Sequence, residues 1–282
     1  MTGDDPNSAV VDGEVGAFDE TLFLDEVFAL CDRFLLAPPV VFQGTGIMRI
    51  GEADRAEVFA LALQRLAGRR PARLTGAQEA FAVLAAPATL VSLQRKDAVS
   101  TSTFFVASAG GTVVEHRPLP DNMHRVARVR SPGAVARAIE LCGLVDRPVL
   151  PGRTVRLTPA QLLQASAQAT AGDVEGAAQV VQGAGSEGAR AAFLRALAAS
   201  PTAIQVTVLD RPAPGRLAGT VTAWLDAGDA GLWRVPAADL SLQGTTGIAR
   251  TDVLHRAVEI CAVRRADLEE EIAEGFEEVT HR

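Results

Sequence analysis

Leu84-Ala85-Ala86-Pro87 opens a stretch that ends in Arg137-Ala138-Ile139-Glu140-Leu141-Cys142. Leu197-Ala198-Ala199-Ser200-Pro201 opens a second, which ends in Arg256-Ala257-Val258-Glu259-Ile260-Cys261. The prolines are 114 residues apart and the terminal cysteines 119, so the second copy is only slightly longer. A period of this length is too long for a solenoid unit, and it reads as a duplicated half-domain folding into one pseudo-symmetric body.

Within the first copy, strands are expected at 89–94, 103–108, 112–117 and 124–130, with Ala109-Gly110-Gly111 as a tight hairpin turn. Ser131-Pro132 is expected to start a closing helix, the serine as N-cap and the proline at the first helical position. The second copy repeats the order: helices over 173–182 and 188–199, then strands at 203–209, 219–225, 232–236 and 240–243. Thr251 is expected to cap a second closing helix. Before the first copy, near-helical apolar spacing from Glu20 to Leu36 and from Ala53 to Ala67 predicts two helices. Thr75-Gly76-Ala77-Gln78 and Thr158-Pro159-Ala160-Gln161 both have the capping-box form, in which a hydroxyl and a glutamine satisfy two orphan backbone donors.

Clustered strands with flanking helices predict an α+β fold of two quasi-symmetric halves, each with an antiparallel sheet. The expected organisation is a disordered N-terminal segment over 1–18, an N-terminal half over 19–150, a C-terminal half over 151–266 and an acidic helix or tail over 267–282. That tail carries seven acids, with Leu268, Ile272, Phe276 and Val279 forming an apolar stripe. It reads as a last helix with one docked edge, or as an acidic partner-binding helix.

Composition narrows the chemistry. With 282 residues, 48% of them apolar, the chain can bury a large core. The net charge of −7 and the lack of a basic cluster argue against nucleic acid, whose binding needs a cationic stripe to replace phosphate counterions. No apolar run approaches the ~20 residues that cross a bilayer. The polar, acidic start, Met1-Thr2-Gly3-Asp4-Asp5-Pro6, lacks the form of a signal peptide, so a cytoplasmic location is expected. Cys31, Cys142 and Cys261 stand singly in apolar patterns, and with four histidines at no metal-binding spacing they predict buried, inert thiols and no metal. The absence of tyrosine and the abundance of Ala, Arg, Gly and Val look like the base composition of a GC-rich bacterium.

One named motif is present. Gly183-Ala184-Gly185-Ser186-Glu187-Gly188 is a G-x-G-x-x-G followed by a helix, a strand and Asp210. In a dinucleotide site, such glycines let the backbone approach a pyrophosphate, and the acid binds a ribose hydroxyl. A nucleotide-dependent enzyme using Gly183, Gly185, Gly188 and Asp210 is therefore the alternative reading. Against it, the segment before the glycines reads as helix, and the first copy has the same helix and strand with no glycine loop. No G-x-S-x-G occurs, and His116, His124 and His255 have no catalytic context, His116 reading as an exposed strand-end residue. Asp226 and Asp229 fit a hairpin tip, where turn geometry alone favours Asp. Trp224 and Trp233 are expected to touch across adjacent strands, or else to be exposed as binding anchors.

Ala82-Val83-Leu84-Ala85-Ala86-Pro87, Leu157-Thr158-Pro159-Ala160-Gln161-Leu162-Leu163 and Ala196-Leu197-Ala198-Ala199-Ser200-Pro201 together resemble the EspG family, in order and spacing over about residues 20–264. The resemblance implies a cytoplasmic, non-enzymatic chaperone of actinobacterial type VII (ESX) secretion. It also implies two halves that each join a sheet to a helical bundle, with no cofactor. The implied partner is a PE–PPE pair or another helical ESX substrate, and a second copy of the chain is a further candidate. The family's contact loop falls on Arg95, Lys96, Asp97, Ala98, Val99 and Ser100, which is short where mycobacterial members often have a long loop. Its contact bundle falls on 158–199, where Gln161, Leu163 and Gln164 are the residues expected to bind.

Overall fold

A computed structural model describes residues 18–42, 51–68, 76–97, 99–148, 153–210, 219–236 and 257–280. Ten strands form one sheet among these residues: β1 Asp19–Phe23, β2 Thr89–Lys96, β3 Thr101–Ala109, β4 Thr112–Pro118, β5 Met123–Val129, β6 Thr154–Leu157, β7 Thr202–Asp210, β8 Gly219–Asp226, β9 Leu232–Val235 and β10 Val258–Val263. The helices are α1 Leu24–Arg33, α2 Glu52–Ala67, α3 Ala77–Ala85, α4 Ala134–Cys142, α5 Pro159–Thr170, α6 Val174–Val180, α7 Glu187–Ala198 and α8 Arg265–Thr280.

Strand order is β1-β5-β4-β3-β2-β7-β8-β9-β10-β6, and every neighbouring pair is antiparallel. That order reads the same from either edge once β1–β5 are exchanged with β6–β10. The two halves therefore meet at β2 and β7. The register there carries the pseudo-dyad. Matching each β2 residue to the one 114 positions later turns the pair Thr89–Asp210 into Lys96–Ala203, and Leu90–Leu209 into Arg95–Ile204.

Strand alternation divides the apolar residues between two faces. On one face of the N-terminal half, α1 and α3 pack Phe28, Leu30, Phe81 and Leu84 against Leu90, Val114 and Val126. The corresponding face of the C-terminal half packs α5 and α7 through Ala165, Ala192, Phe193 and Leu197 onto Leu157, Trp233 and Ile260. The other face is covered at the seam, where Ala138 and Cys142 of α4 and Leu268 and Ile272 of α8 lie on Val91, Leu93, Val206 and Trp224. The acidic last helix is thus docked through Leu268 and Ile272 of the apolar stripe read from its sequence.

Several elements differ from the sequence reading. The string Arg137 to Cys142 is helix in α4, whereas Val258-Glu259-Ile260-Cys261 lies in strand β10. β-branched Val258 and Ile260 suit an extended chain, and β9 and β6 flank that strand on both sides. The counterpart of α4 is α8, which follows β10 as α4 follows β5. Thr251 and the strand expected at 240–243 lie outside the described residues. The first predicted helix begins with a strand instead, since 19–23 alternate exposed and buried, and the helix starts where Phe23 N–H donates to Glu26 Oε2 at 2.9 Å. Helix α4 starts at Ala134 rather than at Pro132, with Ser131 Oγ donating to Gly133 O. Helix α3 is capped by Gly76 at φ +80° without a side-chain cap, and Thr75 is outside the described residues.

Trp224 and Trp233 sit on opposite faces and do not touch across the sheet. The register pairs Trp224 with Arg234 and Leu225 with Trp233, and both rings are buried. Trp233 meets Phe193 edge-on at 5.1 Å, and its Nε1 donates to Ala230 O at 3.0 Å. His116 is likewise interior, at 1% exposure. It stacks on Phe105 at 5.4 Å, lies 4.7 Å from the Phe42 ring, and places Nε2 3.0 Å from His124 Nδ1. Burial, then the neighbouring His124, lowers the His116 pKa to about 3, and burial lowers that of His124.

Two outcomes follow from this packing. Both tryptophans lie in the C-terminal half, so Phe81→Ala, in the N-terminal core, should lower the unfolding free energy reported by tryptophan fluorescence by about 3–5 kcal/mol if the seam makes the halves one cooperative unit. An unchanged fluorescence transition would show that the halves unfold separately. The histidine pair stabilises the fold while neutral. Below the unfolded value near 6.5 the unfolded chain takes up protons that the folded one refuses, so stability falls as pH drops toward about 3. The loss in melting temperature between pH 7 and 5 should shrink in His116→Phe.

Candidate functional site

The β2–β3 connection is a four-residue turn at the end of the seam, beside the entry into β7. Asp97 N–H donates to Ser100 O at 3.0 Å. Asp97 Oδ1 accepts the backbone N–H of Val99 at 2.9 Å and of Ser100 at 2.7 Å. These bonds, Val99 first, hold the Asp97 carboxyl below the usual carboxylate range. Val99 is 96% exposed, and Arg95 and Lys96 are exposed beside it at the end of β2. Arg95 Nη1 reaches to 3.7 Å from where a Cβ on Gly143 would stand, at the C-terminus of α4. Ala98 lies outside the described residues.

The second predicted patch is on α5. Thr158 Oγ1 accepts Gln161 N–H at 3.1 Å and Gln161 Oε1 accepts Thr158 N–H at 2.9 Å, so the capping box forms as read. That commits the Gln161 side chain to its own helix. Ala165 and Ala169 face the bundle, while Leu163 (67%), Gln164 and Ala167 face outward. From Thr158 to Gly172 the chain has no charged residue. An uncharged helix face carrying an exposed leucine is unusual where only water is met.

These two patches are not adjacent. Loop 97–100 lies on β2 and β3, whereas α5 follows edge strand β6, five strand spacings from β2, or roughly 24 Å. Sequence reasoning did not find the other large apolar side chains exposed among the described residues, Phe23, Leu35, Leu61, Val145 and Val174. They are scattered single positions, and only the fold reveals which face of each element is open.

The glycine motif has a structural role instead. Helix α6, not a strand, precedes it. Ala184 O accepts Arg156 N–H at 2.6 Å, closing the outer edge of β6, and Gly185 O accepts Arg190 Nη1 at 2.6 Å. Ser186 Oγ accepts Ala189 N–H at 3.2 Å and so caps α7, while the Arg153 guanidinium donates to Gly188 O. A Cβ on Gly185 would stand 2.6 Å from Thr154 O, so the close approach served by this glycine is to the chain's own edge strand. At the β8–β9 hairpin, Asp226 accepts Gly228 N–H at 3.0 Å and pairs with Arg147 at 2.9 and 3.1 Å, a turn and an ion pair.

Among the described residues, no group of three or more His, Cys, Asp or Glu is arranged to hold a metal ion. Cys31 and Cys142 are buried free thiols whose pKa burial pushes up to about 12, and Cys261 is half-buried near Thr154 Oγ1 at 3.7 Å. No described helix is long and apolar enough to cross a membrane.

No family model matches the chain, and no curated protein matches it. Solved structures that match its fold include the Mycobacterium tuberculosis type VII secretion system chaperone EspG5, in complex with a PE25–PPE41 dimer. The match has a TM-score of 0.56 at 15% identity and spans 92% of this chain and 96% of EspG5. The fold expected from the family resemblance is therefore the fold observed.

Gly185→Ala should lower the melting temperature, because its Cβ has to displace the Thr154 carbonyl. NAD or ATP should leave the wild-type melting curve in place. A ligand at 100 times its Kd would add about 2.7 kcal/mol, so a clear upward shift would revive the nucleotide reading.

Proposed function

We propose that this protein is a cytoplasmic chaperone of type VII secretion that binds a helical client, a PE–PPE-like pair, and keeps it soluble before export. It acts by binding, with no cofactor and no catalysis. The observation that carries this reading is the fold likeness to EspG5 across both halves, since a chaperone's surface is built from the whole scaffold. Fold alone does not fix function. The surface adds independent support, through Val99 at the tip of the β2–β3 turn and the uncharged outer face of α5 around Leu163 and Gln164.

The physical task suits such a surface. A helical hairpin with an exposed apolar tip is prone to aggregate, and covering it requires an apolar centre with a polar rim. An interface of about 800 Å² per partner is roughly 30 Å across if round, comparable with the separation of loop 97–100 from β6 measured across the strands. Arg95 and Lys96 supply a rim at one end, and Gln164 at the other.

Co-expression with the PE–PPE or other type VII substrate pairs encoded nearest its gene, followed by size-exclusion chromatography, tests the proposal. The expected result is a stable complex that rescues an otherwise insoluble partner. Val99→Asp and Leu163→Asp should each weaken it at least about tenfold, since both place a charge in an apolar contact. Both side chains are exposed, so the melting temperature of the free protein should hardly move. Elution of every pair apart from the chain would refute the proposal.

A further inference from the structure

The β2–β3 turn is more tightly built than a connection between two strands requires. One carboxylate serves it almost entirely: Asp97 Oδ1 accepts two backbone N–H groups, and Ser100 Oγ lies 3.2 Å from both Asp97 oxygens. Asp97 N–H closes the turn onto Ser100 O. What this framework displays is an aliphatic side chain, Val99, almost wholly in water. Folding gains nothing from an apolar residue there, and a polar turn residue would bridge the strands equally well.

We propose that Asp97 is a positioning residue, its carboxylate fixing the backbone so that Val99 is presented to the client in one orientation. This rests on the chaperone reading and adds to it the chemistry of the client's contact, an apolar notch that receives Val99. A turn ordered before encounter loses less conformational freedom on binding, so the gain appears in affinity without any contact between Asp97 and the client. The depressed Asp97 pKa agrees with a carboxylate that stays charged and bonded at neutral pH.

The test compares Asp97→Ala, Asp97→Asn and Val99→Asp in the full chain. Affinity is measured for the PE–PPE dimer that co-purifies with the wild type, and hydrogen exchange is followed at the Val99 and Ser100 amides of the free protein. Asp97→Ala should weaken binding about tenfold and speed exchange at both amides. Asp97→Asn should keep most of both properties, because its amide oxygen accepts the same N–H groups. If Asp97→Ala binds like the wild type while Val99→Asp does not, the positioning role is overturned and the chaperone reading stands. If Val99→Asp also binds like the wild type, or no dimer co-purifies, the loop's part in the chaperone reading falls and this inference falls with it. Exchange at the two amides that is as fast in the wild type as in Asp97→Ala overturns the inference whatever the client does.

Discussion

The antiparallel ladder between β2 and β7 is the joint on which the rest of the molecule depends. It pairs Thr89–Lys96 with Ala203–Asp210 and makes two five-stranded sheets into one of ten. Without it, β2 and β7 would each expose an edge of unpaired donors and acceptors, the form of surface that leads to aggregation. The helices reinforce it. Helices α4 and α8, one from each half, lie side by side over the seam and bury Ala138, Cys142, Leu268 and Ile272 against Leu93 and Val206. Acids of α8 flank that contact, with Glu271 near Arg234 of β9 at 3.4 Å and Glu269 paired with Arg265 at 2.7 Å.

Functional surface follows from the same geometry. A sheet covered at its centre on one face and by two bundles on the other leaves strand-connecting turns and the outer helix faces free. Loop 97–100 is the turn next to the seam, and α5 is the outer helix beyond the far edge strand. Edge strand β6 is itself closed by the glycine loop, through Arg156 N–H and Ala184 O. A motif that in another setting would cradle a phosphate here protects a sheet edge, with its glycines admitting the backbone of the neighbouring strand.

The duplication was legible because helix-to-strand transitions at Pro87 and Pro201 recur with the same local chemistry, and the α+β class and the Thr158 capping box came with it. The second landmark misled because Arg-Ala-Ile-Glu-Leu-Cys and Arg-Ala-Val-Glu-Ile-Cys are nearly the same local string, and tertiary pairing decides which becomes helix and which strand. Strands β1 and β6 were hidden for a related reason. They are short edge strands whose existence depends on β5 and β10. The interior position of His116 and the opposite faces of the two tryptophans are matters of register, which no local pattern records. For the surface, the sequence indicated the loop and the helix by resemblance, whereas the bonds of Asp97 and the exposure of Val99 and Leu163 belong to the folded chain.

The central claim is that one client spans both patches of this two-halved scaffold. Photo-crosslinking residues placed in turn at positions 99 and 163, in cells that co-express the substrate pair, test it most directly. The account predicts that both positions cross-link to the same PE–PPE-like partner, whereas a matching probe at the buried seam position 206 does not. Cross-links to different proteins, or none from either position while the complex still forms, would contradict it.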